Sequence, residues 1–420
     1  MSGTPKLRND CFALPAGVDW TPVDTALARL RDGLAPVTGA ETVPLDRALG
    51  RVLAEPLVAA RANPPSANTA VDGYGLRHAD LPDAGEVTLQ LAQGRAAAGA
   101  PFAGSLPPGH AVRVLTGAVL PEGVDTVILQ EDVTAAGGAI RFRAGLRRGA
   151  NCRRAGEDVA AGAQALPGGH MLRPQDLALA AALGHGALAV RAPLRVAVLS
   201  TGDELRPAGA AALPHQTFDA NRPMLLALLA RWGMVPVDLG AAADDAGQVR
   251  ARLERGAAQA DAVIATGGAS AGDEDHVSAV LRASGKLETW RIAMKPGRPL
   301  ALANWDGVPV FGLPGNPVAA FVCALVFARP ALLLLAGAGW RAPLALTVPA
   351  AFSKRKKPGR REYLRARLDA QGRAEVFASE GSGRISGLSW AEGLVELPDA
   401  ALDVAPGTPV RYLPFAGFGV

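Results

Sequence analysis

The chain has 420 residues, 49% of them apolar and 5% aromatic, with a formal net charge of +4. That length holds about two to four domains with sizeable aliphatic cores, and so mild a positive charge does not by itself indicate nucleic acid. The three cysteines, Cys11, Cys152 and Cys323, lie far apart and form no CxxC pair, which argues against a zinc site or a disulfide framework and for a reducing compartment.

The first residues, Met1-Ser-Gly-Thr-Pro-Lys, contain no apolar signal core. Val23, Ala26, Leu27, Leu30 and Leu34 recur at helical spacing, which predicts a helix over 22–34. Residues 42–54 read as a short strand followed by a helix. Between 56 and 148 the pattern changes to short alternating runs at 87–91, 111–115, 126–130 and 139–143. Gly and Pro punctuate them, so a small β domain is expected over 56–149. Residues 150–190 return to loop and helix, with a helix start at Arg173-Pro174. If this segment packs back on residues 1–55, the two make one discontinuous domain.

From 192 to 336 strand and helix alternate. Strands are predicted at 194–199, 234–239, 262–265, 299–302 and 308–313, and helices at 222–232, 247–259 and 276–283. Such alternation predicts a mostly parallel sheet, in a domain over 191–336. The most apolar stretch, 318–335, is cut by Arg329-Pro330 and reads as a buried helix and its successor rather than a membrane span. After Gly339 short β runs return, and a second small β domain is expected over 340–420. The fold class is therefore α/β and β, multidomain.

In an open α/β sheet, ligands bind beyond the carboxyl ends of the strands, where helix N-termini offer N–H groups to anions. Three loops carry that character: Gly267-Gly268-Ala-Ser270-Ala-Gly272-Asp273-Glu274-Asp275, Lys295-Pro296-Gly297-Arg298 and Pro314-Gly315-Asn316-Pro317. The glycine pair lets backbone N–H groups approach phosphate. Lys295 belongs to a solvated turn or to an oxyanion clamp, and Asn316-Pro317 punctuates a helix while creating an anion-accepting end. Ser200, Thr201 and Gly202 hold an anion or form a turn that Asp203 caps. Asp219 or Asn221 caps the next helix or faces a ligand. Asp244, Asp245 and Asp275 serve as caps or, as hard oxygen donors, reach a metal.

Asp72 and Thr116, taken singly, read as turns. The run Lys354-Arg-Lys-Lys-Pro-Gly-Arg360-Arg361 lacks interleaved aromatics, so a solvated loop or a small-anion clamp is preferred over a nucleic-acid patch. No P-loop is present. The match Gly268-Ala-Ser270-Ala-Gly272 to a nucleophile elbow is followed by only one histidine, His276 in the next helix, so a serine triad is disfavoured.

Together, and in this order, Val71-Asp-Gly-Tyr, Leu115-Thr-Gly-Ala, Ser200-Thr-Gly-Asp-Glu-Leu, Asp219-Ala-Asn, Gly267-Gly-Ala-Ser-Ala-Gly-Asp, Lys295-Pro-Gly-Arg-Pro and Gly312-Leu-Pro-Gly-Asn-Pro resemble the molybdopterin molybdenumtransferase family, MoeA-type, with the gephyrin E domain as an animal relative. The set spans nearly the whole chain. Arg291 stands where many relatives carry lysine, Val71 where Met is usual and Ala67 where Asp is usual.

The resemblance implies four domains: an elongated one from 1–55 plus 150–190, the small β domain, a molybdopterin-binding sheet domain and a C-terminal β barrel. It implies a cytoplasmic homodimer whose sites combine the sheet domain of one subunit with the small β domain of the other. The implied reaction inserts molybdenum from molybdate into adenylylated molybdopterin with Mg²⁺ and releases AMP. Asp72, Glu204, Asp244 and Asp275 would surround the metal and the pyrophosphate, with Glu204, Asp244 and Asp275 as ligands. Lys295 and Arg298 would hold molybdate or phosphate. Thr116, Ser200, Thr201, Gly202, Asn221, Gly267, Gly268, Ser270, Arg291, Pro314, Gly315 and Asn316 would position substrate, and Arg360, Arg365 and Ser382 would form a second anion pocket. Implied partners are molybdopterin adenylyltransferase and molybdoenzyme acceptors, with neither nucleic acid nor membrane. Two other activities fit the same blocks: adenylylation of molybdopterin by ATP, and a non-catalytic molybdopterin-binding scaffold. Glu204, Asp275 and Lys295 favour catalysis.

Overall fold

Alternating apolar and polar positions between Gly73 and Arg143 fold into a six-stranded sheet. Its order is Thr126–Leu129, Gly73–Leu76, His110–Val114, Glu86–Ala96, Ala139–Arg143 and Thr134–Ala136. Only the pair His110–Val114 and Glu86–Ala96 is parallel. Successive residues point to opposite faces: Ala111 joins a cluster with Leu76, Leu89 and Ile140, while Val112 joins another with Leu106, Val114 and Val127. Both faces of the sheet are therefore covered.

The structure, a computed structural model, describes residues 20–267, 276–283, 287–297 and 299–420. They fall into two units, Thr42–Val190 and Arg191–Val420 together with the segment up to Glu41. Beside the sheet, the first unit holds a cluster drawn from two stretches: Val43, Ala48, Leu53 and Leu57 from the first, Leu172, Ala180, Leu188 and Val190 from the second. The helix Pro174–Ala182 begins as expected. Asp176 accepts the Arg173 N–H at 2.8 Å and its guanidinium at 3.0 Å, closing the first turn. The helix expected within 45–54 does not form. A single 3₁₀ turn, Leu45–Arg47, follows the strand, and Val52 and Leu53 instead bridge to Met171 and Val190. The helical spacing there is met by pairing across the chain.

In the second unit the alternation of strand and helix gives a six-stranded sheet. The order is Val235–Ala242, Arg195–Thr201, Ala262–Thr266, Val308–Leu313, Pro299–Trp305 and Leu287–Arg291. The first four are mutually parallel and the last two antiparallel. Leu287–Arg291, not foreseen, adds an antiparallel edge. The second strand in sequence lies on one side of Arg195–Thr201 and the third on the other, so the order reverses between Thr201 and Thr266, the position where open α/β sheets bind ligands. Register places Ser200, Thr266 and Leu313 side by side at the carboxyl end. Helices Ala246–Gln259 and His276–Ala283 close one core through Val249, Leu253, Val277 and Leu281 against Leu199, Val263 and Val310.

Arg329-Pro330 does not break the apolar helix. Pro317–Cys323 runs through a π-helical turn, Ala324–Ala328, into Arg329–Leu335. The widened turn just before the proline accommodates its ring and missing N–H. This run is long and apolar enough to cross a membrane, but 89% of it is buried inside the protein, as a core helix. The C-terminal residues form a second sheet, ordered Met294–Lys295, Arg361–Leu368, Gly393–Leu397, Pro409–Pro414 and Leu346–Pro349. Leu364, Val395 and Tyr412 centre its core. Its first member belongs to the Lys-Pro-Gly turn, because Met294 and Lys295 pair in parallel with Arg361 and Glu362.

Candidate active site

Three glycine turns meet the carboxyl ends of the central strands. At Gly267 the backbone has φ +111°, and a Cβ there would collide with the Thr201 carbonyl. A Cβ at Gly315 would lie 3.3 Å from Gly267 Cα. Glycine is thus needed at 267, and a side chain at 315 would crowd the point where these turns touch. Beneath them lies a buried polar network. Asn221 Nδ2 donates to Thr266 Oγ1 and to the Gly315 carbonyl, both at 2.7 Å. Thr266 Oγ1 donates to the Pro314 carbonyl at 3.2 Å. Asn221 Oδ1 is buried and has no donor among the described residues, which leaves one acceptor for a bound group.

Asp219, not Asn221, caps the helix that follows. Its carboxylate accepts the Arg222 N–H at 3.1 Å and pairs with the Arg222 guanidinium at 2.9 Å. The hydroxyls expected to hold substrate are spent in this framework. Ser200 Oγ donates to Asp219 at 3.1 Å and Thr201 Oγ1 to the Thr266 carbonyl at 3.4 Å. Both residues are buried, 1% and 5% exposed, because they lie within the strand rather than beyond it. Their side chains brace the turn at Gly202, and the backbone beyond them is what faces outward.

Asp203 does not cap a helix. It and Asp244 exchange bonds: the Asp203 N–H donates to Asp244 Oδ2 at 3.3 Å, and the Asp244 N–H to Asp203 Oδ1 at 3.0 Å. This ties the loops after two neighbouring strands. Glu204 is exposed beside them, its carboxylate turned back over Gly202. Asp245 is the cap of the next helix, accepting the Gln248 N–H at 2.8 Å. Among the described residues no three His, Cys, Asp or Glu side chains gather as a cation centre. Asp275, with Gly268, Ser270 and Arg298, lies outside the described residues.

Lys295, Pro314, Asn316, Arg360 and Ser382 line one cavity of about 210 Å³, together with Gly297 and Glu380. Gly297 has φ +88°, and a Cβ there would sit 2.8 Å from Cys323 Sγ, so the turn is pressed onto the buried helix. The Ser382 carbonyl accepts the Val318 N–H at 3.3 Å, docking the 379–384 loop on the start of that helix. Lys295 pairs with Glu380. Arg365, expected to bind an anion, instead gives its guanidinium to the Ser379, Gly381 and Arg384 carbonyls. At 4% exposure it braces the loop that carries Ser382. Arg291 is exposed at the end of its strand and is not among the described residues lining the cavity.

The basic run is solvated only in part: Arg355 and Lys357 are exposed, while its other cations are engaged. Lys354 pairs with Glu362 at 3.1 Å and with Glu380. Lys356 is buried and donates to the Lys357 and Ala400 carbonyls. Arg361 grips Asp24 at 2.7 Å and Asp399 at 3.0 Å. Only Arg360 of these cations lines the cavity. Glu380 carried no signal in the sequence, since its two lysine partners lie 85 and 26 positions away.

In the Thr42–Val190 unit, Asp72 and Thr116 do come together. Asp72 Oδ1 accepts both the Thr116 N–H and its hydroxyl at 2.7 Å. Hydrogen bonds from the Thr116 hydroxyl and N–H hold the Asp72 carboxyl below the usual aspartate value. Gly73 has to follow, because a Cβ there would collide with the Ile128 carbonyl.

A family model for the MoeA N-terminal region (domain I and II) matches residues 21–184, one for a probable molybdopterin binding domain matches 197–333, and one for the MoeA C-terminal region (domain IV) matches 347–415. The chain is 35% identical to a molybdopterin molybdenumtransferase of Haemophilus influenzae, over 94% of this chain and 98% of that protein. It is 36% identical to molybdopterin molybdenumtransferase 2 of Mycobacterium tuberculosis, over 88% and 94%. A solved molybdopterin biosynthesis MoeA protein from Pyrococcus horikoshii is similar with a TM-score of 0.80 and 28% identity, over 94% of this chain and 100% of that one.

Proposed function

We propose, from the premise that this chain belongs to the MoeA family of molybdopterin molybdenumtransferases, that it is the enzyme that inserts molybdenum from molybdate into adenylylated molybdopterin and releases AMP. The observation that supports this best is the cavity lined by Lys295, Asn316, Arg360 and Ser382. Two cations and two uncharged polar groups, with Glu380 as the one carboxylate beside them, suit a tetrahedral oxyanion once Lys295 and Arg360 turn to it. The crevice where the sheet order reverses suits molybdopterin, with its phosphates against the glycine turns at 267 and 315 and a donor group on Asn221 Oδ1. Protein sulfur is a poor ligand for molybdenum here. Burial pushes the Cys323 thiol up to about 12 and the Cys152 thiol up to about 11, so neither described thiol offers a ready thiolate, which favours the substrate's own dithiolene as the soft ligand.

Glu204 and Asp244, with Asp275 as the family pattern implies, are hard oxygen donors of the kind Mg²⁺ takes. When bound, the cation would neutralise charge at the pyrophosphate. The chain's own part is to hold the oxyanion through Lys295 and Arg360 and to fix the loops through the Asp203–Asp244 exchange. We further propose a cytoplasmic homodimer in which Asp72 and Thr116 of the partner subunit complete each site, and four domains: 1–55 plus 150–190, 56–149, 191–336 and a C-terminal barrel over 340–420. Separate cores around Leu53, Leu76, Leu199 and Leu364 support that division. Molybdopterin adenylyltransferase and molybdoenzyme acceptors are the protein partners such a reaction calls for.

The test is AMP release from adenylylated molybdopterin with Mg²⁺ and molybdate. We expect release to require molybdate and to fall at least about a hundredfold in Glu204→Ala. AMP formed from ATP alone would favour the adenylylating activity. Tight binding of adenylylated molybdopterin without AMP release would favour a scaffold.

A further inference from the structure

Glu380 lies between two cations. One carboxylate oxygen accepts from Lys295 Nζ and the other from Lys354 Nζ. The lysine side chains are only 13% and 14% exposed, while that of Glu380 is 38% exposed, so solvent screens the carboxylate in part and can reach it from outside. Lys295, Pro296 and Glu380 line the cavity of about 210 Å³ and also a second one of about 180 Å³, whose walls include Ser353, Lys354, Tyr363 and Ser379. The lysine expected to hold an oxyanion therefore already holds an anion supplied by the chain itself.

We propose that Glu380 is an internal counter-anion that occupies Lys295 until a tetrahedral oxyanion displaces it, and so sets the oxyanion concentration at which the cavity fills. This inference rests on the assignment of the cavity to an oxyanion. Displacement exchanges one charge-assisted bond on Lys295 for another. Glu380 is not stranded by it, because Lys354 retains its other oxygen, and Lys354 also meets Glu362 at 3.1 Å. The loop itself need not move. Arg365 pins its backbone at Ser379, Gly381 and Arg384, so the exchange needs only rotation of one side chain. Burial alone would raise the Glu380 acid, but hydrogen bonds from Lys295 and Lys354 outweigh it and hold the carboxyl below the ordinary glutamate value. The competitor is thus ionised across the neutral range.

The test is calorimetric titration of molybdate, and separately of sulfate as an inert dianion, into the full-length protein at low ionic strength. Glu380→Gln keeps the shape and removes the charge. A charge-assisted hydrogen bond is worth enough that the variant is expected to bind both dianions about tenfold tighter or more. Glu380→Asp, which retains the charge, should stay close to wild type. Adding Lys295→Met to Glu380→Gln should remove the gain. In the AMP-release assay half-saturating molybdate should fall in Glu380→Gln without a rise in kcat. A disrupted loop would weaken binding, so a gain in affinity separates this role from a merely structural one. Affinity in Glu380→Gln equal to or weaker than wild type, with an unchanged unfolding temperature, overturns the counter-anion alone. A gain that survives Lys295→Met also overturns it. Absence of dianion binding by both wild type and Glu380→Gln overturns the counter-anion and the oxyanion assignment together.

Discussion

Asp72 and Thr116 are 44 residues apart, yet two bonds of 2.7 Å join them. Each looked like an ordinary turn in isolation, and only the ordered set of blocks gave them meaning. The pairing makes a claim about titration. The Thr116 hydroxyl and N–H both favour the ionised carboxyl, so the folded state holds Asp72 below the ordinary aspartate value. A carboxyl depressed on folding contributes stability above its unfolded value, and loses that contribution as pH falls through the folded one. Thr116→Val removes the hydroxyl and leaves the N–H. The Asp72 pKa should then rise toward the ordinary aspartate value, measured by carboxyl ¹³C NMR with aspartate labelling and Asp72→Asn for assignment. An unchanged value would mean that the hydroxyl does not hold the carboxylate. At neutral pH the group is ionised in both proteins, so any loss of AMP release in Thr116→Val reports geometry rather than charge.

At the scale of the element, the loop 379–384 shows how a segment without regular structure is made rigid. Arg365 leaves the strand Arg361–Leu368, crosses the Phe377 ring with its guanidinium carbon 4.9 Å from the centroid, and donates to three carbonyls of the loop. Arg365→Met keeps most of the stem and removes every donor. Unserved buried carbonyls cost about 1–3 kcal/mol each, less where water reaches them. We expect faster amide exchange confined to peptides covering 377–386, a lower unfolding temperature and weaker molybdate binding. Arg365→Lys should rescue little, since an ammonium cannot reproduce the fork. Unaltered exchange in that loop would show that the donors are dispensable. The same segment marks what the sequence made legible. Strands and helices between 195 and 335 announce themselves through period and glycine punctuation, because local patterning and burial agree there. The strand Leu287–Arg291 and the π-helical turn before Pro330 depend on neighbours, and so did not. Lys295 and Asn316 were visible through their blocks and Ser382 only through the family resemblance, but Glu380 faces lysines 85 and 26 positions away, a pairing that no local spacing encodes.

For the molecule as a whole, part of the basic run is engaged inside the fold. Lys354 and Arg361 are absorbed by Glu362, Glu380, Asp24 and Asp399, and Lys356 by backbone carbonyls. The basic run is thus divided in role: Lys354, Lys356 and Arg361 are internal fastenings, Arg355 and Lys357 are exposed, and Arg360 lines the cavity. The groups proposed for chemistry divide between the two units: Asp72 and Thr116 in Thr42–Val190, and Glu204, Asp244 and Lys295 in the other. The proposed homodimer makes this division testable without any new structure. If each site takes Asp72 from one subunit and Lys295 from the other, Asp72→Ala and Lys295→Met are each inactive alone. A mixed dimer concentrates both lesions in one site and leaves the second intact. Random reassociation of equal amounts makes half the dimers mixed, each with one working site of two, so activity should recover to about a quarter of wild type. Recovery should follow the rate of subunit exchange, monitored by mass spectrometry on isotopically distinguished subunits. Exchange that goes to completion with no recovered AMP release would place both residues in a site within one chain. Recovery without exchange would point to contamination by active enzyme. Only recovery that tracks the mixed species shows that the site is built across two copies of the chain.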